Sequence, residues 1–218
     1  MADSTISNED ISATLPEGAV VSIDTGSNGE NQLTVGKKVD GMEVAASSGS
    51  TDISGKQVNN STISAAAEAG ETSQITIQTT GFVGSTIKNE GKGSIVVTHS
   101  TGSFKKSTID AGANKKRDDV VKFGNEAKII KGEVIMGKGN DTVRFKKDAV
   151  FKKKTTIDLG KGGSDKVFIK STKGVEGGKL TITSFSKKDE LTIGKTTFDY
   201  KDIQGGVDLP GNIKVDLA

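Results

Sequence analysis

The chain has 218 residues, of which 32% are hydrophobic and 4% aromatic, too few apolar side chains for one large three-dimensional core. Its 28 Gly against 2 Pro suit many tight turns in a chain that keeps its ladder hydrogen bonds, and the lack of Cys excludes disulfides and thiolate metal sites. The net charge of +2 conceals a split: residues 1–104 carry 5 Lys against 12 Asp and Glu, and residues 105–218 carry 25 Lys and Arg against 16, so a charge dipole along the molecule is expected.

Residues 1–18 fit no repeat. Ser7-Asn8-Glu9-Asp10 could open a short helical turn that Pro16-Glu17-Gly18 closes, and the segment is expected to cap the first rung of the repeat array. The opening is polar and acidic, without the apolar core of a secretory leader, and no run further on approaches membrane-spanning length.

Residues 19–204 repeat. Val21 and Ile23 lead to Gly26-Ser27-Asn28-Gly29 and then to Leu33-Thr34-Val35, the order of parts seen again from Ile157-Asp158-Leu159 to Val167-Phe168-Ile169. Later copies start near Thr51, Ser73, Ser94, Asp119, Asp141, Asp165 and Asp189, at spacings of 20 to 24 residues. In a first strand the apolar residues come two apart, as in Ile75 and Ile77, Val121 and Phe123, Val143 and Phe145, Val167 and Ile169, Leu191 and Ile193. A second strand carries Ile63, Ile87, Ile109 and Ile157, with Val134 and Ile182 as looser matches. A short middle element marks the corner between them: Phe82-Val83, Phe104, Ala127 to Ile129, Ala149 to Phe151.

No helical period persists, and a Greek-key sandwich would not return the same residue types at one period. The pattern predicts an all-β fold, a single-chain parallel β-solenoid (β-helix) of about eight rungs with a period of 20–24 residues. Rungs stack roughly 4.8 Å apart, giving a rod about 40 Å long, with a right-handed coil expected. Residues 205–218 leave the repeat. Leu209, Ile213, Val215 and Leu217 make them mildly apolar, fit to cap the last rung or dock into a partner.

Two resemblances rest on particular motifs. Gly137-Lys138-Gly139-Asn140-Asp141-Thr142-Val143, with a second copy over Gly160 to Val167, resembles the glycine-aspartate nonapeptide of RTX proteins, in which Ca²⁺ sits between successive turns. A longer pattern runs from Lys153-Lys154-Thr155-Thr156-Ile157-Asp158-Leu159-Gly160-Lys161-Gly162 through Asp165-Lys166-Val167 and Lys179-Leu180-Thr181-Ile182 to Lys188-Asp189-Glu190-Leu191-Thr192-Ile193-Gly194. It is similar to repeat-bearing virion structural proteins of marine cyanobacterial phages, over about residues 105–205. That resemblance implies a non-enzymatic protein on the outer surface of a virion: a capsid decoration, knob or fibre component with capsid or other virion proteins as partners. The RTX resemblance implies the alternative, a calcium-binding secreted or cell-surface module of a bacterium.

Four groups of residues could carry function. Asp119, Asp141, Asp165 and Asp189 recur at one rung position and would form a carboxylate ladder. It is either a column of Ca²⁺ sites or a set of turn residues, each accepting backbone N–H bonds in its own Gly turn. The turn reading is preferred because no other oxygen ligands recur beside the Asp residues, so no metal, cofactor or catalytic residue is assigned. Thr62, Thr86, Thr108 and Thr156 face outward, but Glu133 interrupts the array and argues against an ice-binding face. Lys105-Lys106, Lys115-Lys116-Arg117, Lys146-Lys147 and Lys152-Lys153-Lys154 should form a basic stripe, either simply solvated or in contact with an acidic surface such as a capsid or host polysaccharide. Nucleic acid fits less well, because the stripe lacks interleaved aromatics. His99, the only His, falls where other rungs carry Phe or Ile and is expected to be a partly buried strand residue; no Gly-x-Ser-x-Gly elbow accompanies it.

Overall fold

The computed structural model describes residues 5–7, 12–15, 22–25, 30–35, 38–46, 48–112, 116–171, 175 and 178–218. It is a parallel β-solenoid. Thr51, Ile75, Val97, Val121, Val143, Val167 and Leu191 lie side by side on successive turns, so the regular part completes about six turns where about eight rungs were expected. Shorter strands extend the stack at both ends.

Each regular turn begins with a long strand such as Thr72–Val83, Ser94–Lys105 or Val120–Ile130, which bends near its middle. Its first half places side chains alternately in the core and in solvent; its second half is the middle element expected at the corner. A short strand comes next (Thr86–Asn89, Thr108–Asp110, Glu133–Ile135) and a turn leads to the next rung. The short strands stack in strict register: Ile63, Ile87, Ile109, Val134, Ile157 and Ile182 form one inward column, so Val134 and Ile182 are full members. Gly-free alternation gives this register, because a slip by one residue would turn every inward side chain out.

Large side chains stack up the core. Phe82 lies parallel to Phe104 at 5.8 Å, and Phe123 parallel to Phe145 at 5.0 Å, with Phe145 tilted against Phe151 at 4.7 Å. Such offset stacks add to area burial, and they let a narrow solenoid hold a continuous core with few aromatics.

Both ends differ from expectation. Thr5–Ser7 pairs in register with Ser22, Ile23 and Asp24, and Ser12–Leu15 pairs with Gln32 to Val35. The ladder therefore reaches back into the segment expected as a separate cap at residues 1–18; the helical turn expected over Ser7 to Asp10 falls on a strand residue at Ser7, and residues 8–10 lie outside the described residues. At the other end the repeat stops at Ile193. Thr196–Phe198 folds back antiparallel on Leu191 to Ile193, and Tyr200–Gln204 is a short helix with Asp199 as N-cap and Asp202 closing a capping box. Ile213–Leu217 then pairs parallel with Leu180 to Phe185 and covers that edge of the short-strand sheet.

Candidate functional site: carboxylate ladder and basic columns

The aspartates form the expected ladder, with a different partner. Asp119 N–H donates to Asp141 Oδ1 at 2.8 Å, Asp141 N–H to Asp165 Oδ1 at 2.8 Å, and Asp165 N–H to Asp189 Oδ1 at 2.9 Å. Ile95 N–H donates to Asp119 Oδ1 at 2.8 Å, so Ile95 is the ladder's foot and the copy expected to start at Ser94 starts one residue later. Each carboxylate thus bonds the neighbouring rung, not its own turn. Asp189 alone also takes a local donor, Ser186 N–H, on Oδ2.

All four carboxylates are buried, and Oδ2 of Asp119 and Asp141 has no hydrogen-bond partner among the described residues. Burial pushes Asp141 up to about 8, an effect that the Asp119 N–H bond opposes and the adjacent Asp119 and Asp165 charges add to. Burial likewise raises Asp165 to about 7 and Asp119 to about 6, where Arg117 helps hold the charge. Among the described residues no three His, Cys, Asp or Glu side chains come together as a metal site.

The glycines of this turn are there for close approach. A Cβ on Gly139 would sit 1.5 Å from Arg117 O, and one on Gly163 1.5 Å from Gly139 O, both at positive φ. Stacked backbone accounts for Gly139, Gly160 and Gly163 without an ion, and Gly162, with nothing within 4 Å of a Cβ, answers to its φ of 76°.

Arg117 leaves the basic stripe in which it was expected. It is buried, and its guanidinium clasps the turns of two rungs: Nη1 donates to Gly91 O at 2.8 Å and Gly93 O at 3.0 Å, and Nη2 to Ala111 O at 2.8 Å. Its Nε lies 4.0 Å from Asp119 Oδ2. Lys115 lies outside the described residues, and Lys116 is exposed in a bridge to Lys138.

A second ladder runs through serines of neighbouring rungs. Met42 N–H donates to Ser61 Oγ at 3.0 Å, Ser61 N–H to Ser85 Oγ at 3.1 Å, and Ser85 N–H to Ser107 Oγ at 3.2 Å. The repeated Asn60-Ser61-Thr62-Ile63, Gly84-Ser85-Thr86-Ile87 and Lys106-Ser107-Thr108-Ile109 was its signal. The residue before each Ser turns the corner with positive φ: Asn60 at 45°, Gly84 at 60° and Lys106 at 50°; on later rungs Lys131 at 55° and Lys153 at 72° turn it, followed by Gly132 and Lys154 in place of the Ser. Lys106, Lys131 and Lys153, flanked by exposed Lys105, Lys152 and Lys154, make a basic column down one corner. Among the described residues none of these six is in an ion pair. Neighbouring like charges at rung spacing repel by about 1 kcal/mol in water, and the left-handed backbone adds strain.

Lys146 belongs to another face. Lys122, Arg144, Phe168 and Thr192 are in register as outward neighbours, and Lys146 and Lys170 flank them. Arg144 lies over the Phe168 ring at 4.6 Å.

The outward Thr62, Thr86 and Thr108 stack as expected, with Glu133 between Thr108 and Thr156. His99 is wholly buried rather than partly so, between Ile77 and Phe123, edge-on to Phe104 at 5.6 Å. Its Nε2 lies 3.4 Å from Gly102 O, Nδ1 has no partner among the described residues, and burial lowers its pKa to about 4.

No family model matches this chain, and no curated protein or solved structure is found similar to it.

Proposed function

We propose that the chain is a non-enzymatic structural rod of a virus particle, displayed on the capsid or as a knob or fibre component, where it mediates shell attachment or surface adhesion. One observation carries this reading: the groups able to do chemistry are spent inside the stack. The ladder carboxylates bond backbone N–H groups, Arg117 holds turn carbonyls, and His99 packs among Phe rings. What the solenoid offers outward is an array of regularly spaced charges, suited to binding other surfaces. The partners are other virion proteins and an acidic host-surface polysaccharide, with the virion supplied by the sequence resemblance.

The test is immunogold labelling of purified particles with antibodies against the chain. Gold on the outer surface supports the reading; the chain found only in the soluble or secreted fraction sinks it. The secreted calcium module gains no support from the ladder's bonds to backbone N–H groups. It would require the chain to be unfolded in EDTA and to fold on millimolar Ca²⁺, read by far-UV circular dichroism.

A further inference from the structure

We infer that the groove around Arg144 and Phe168 binds an acidic sugar residue of a polysaccharide, with Arg144 as the carboxylate contact. The inference rests on the adhesion reading and names the chemistry of its ligand.

The groove encloses about 340 Å³, within the range of small-ligand sites. Its floor is apolar, built from buried Phe145 and Ile169 and the half-buried ring of Phe168. Its walls hold four cations, Lys122, Arg144, Lys146 and Lys170, and no lining residue is acidic. Among the described residues none of the four is in an ion pair, and the Arg144 guanidinium makes no hydrogen bond. Lys166 and Glu190, which pair with each other, sit on the neighbouring outward column.

The chemistry selects the ligand. Contact with the Phe168 ring holds the guanidinium carbon 4.6 Å from the ring centroid, and its donors, in no hydrogen bond or ion pair among the described residues, are those that pair bidentately with a carboxylate. The apolar floor beside it accepts the C–H face of a pyranose ring. A ligand must therefore carry an apolar face and an anion a few bonds apart, as a uronic acid does. The lysines on adjacent rungs would meet the next acidic residues of the same polymer. Single-stranded nucleic acid is a poorer fit, since its platforms present successive aromatics and this column offers Phe168 alone.

The test is titration calorimetry of the full chain at low salt with oligogalacturonate, maltohexaose of similar length and an oligo(dT) strand. The expected result is binding of oligogalacturonate only, weakened about tenfold or more by Arg144→Gln, and weakened as well by Phe168→Ala. Lys154→Gln, on the other basic column, should change it less than about twofold, and circular dichroism should show all variants folded. No binding of oligogalacturonate, tighter binding of oligo(dT), or equal losses in Arg144→Gln and Lys154→Gln would each overturn the site. Particle labelling is independent of these outcomes: binding by a chain absent from particles would retain the groove and discard the virion, and a labelled particle with no binding would do the reverse.

Discussion

Asp141 shows how one buried group can set the behaviour of the whole chain. Its folded pKa of about 8 lies far above the ordinary value of 3.8, and Asp119 and Asp165 are shifted the same way. The folded state therefore binds more protons than the unfolded chain between about pH 4 and pH 8, and stability falls as pH rises through that window. His99, lowered to about 4, acts in the opposite sense below its ordinary 6.5, but one imidazole opposes three carboxyls. Thermal melts should give a higher Tm at pH 5 than at pH 8. Asp141→Asn keeps an acceptor for Asp119 N–H and carries no charge, so it should raise Tm at pH 8 and flatten the profile; an unchanged slope would refute the ladder as its source. Arg117 makes the complementary case. Arg117→Lys loses the fork that spans Gly91, Gly93 and Ala111, and it should destabilise by about 2–4 kcal/mol in denaturant melts, since a buried cation is left with fewer partners.

Between residue and fold lies the corner that joins the middle element to the short strand. Asn60 and Gly84 adopt its left-handed backbone readily, whereas Lys106, Lys131 and Lys153 do so under strain. That conformation costs an L-residue roughly 1–2 kcal/mol, and glycine's extra chain entropy returns about 0.5–1 kcal/mol of the difference. Lys106→Gly should then stabilise the fold by about 0.5–1 kcal/mol, measured by urea melts. A destabilised variant would show that the Lys106 side chain contributes packing that outweighs its backbone strain. The serine after Asn60, Gly84 and Lys106 is equally local. Its hydroxyl accepts the N–H of the rung below, so a short repeated tetrapeptide builds an inter-rung hydrogen bond.

At the scale of the whole molecule, stacking exposes strand edges, and Ile213–Leu217 covers the one at Leu180 to Phe185. Deleting residues 199–218 should bare the edge at Leu180 to Phe185 and make the protein self-associate, visible as growth in light scattering; a monodisperse truncated chain would mean that another segment guards that edge. The fold itself was legible in the sequence. Parallel in-register stacking needs the same apolar residue at the same spacing, so Ile63, Ile87, Ile109 and Ile157 disclose their column by spacing alone. The Asp ladder was legible for the same reason, as a position. Its bonding was not, because Asp141 Oδ1 reaches a backbone group 22 residues away that spacing alone cannot orient. Arg117 read as one more surface cation, since nothing local reveals turn carbonyls gathered around it from other rungs. Arg144 and Phe168 lie 24 residues apart and become a site only when two turns lie against each other. The sequence by itself determined the period, the register and which side chains face inward, because these arise from alternation along one strand. Only the tertiary structure decided which polar groups are buried and which surface cations converge, because both depend on what the adjacent rung brings alongside.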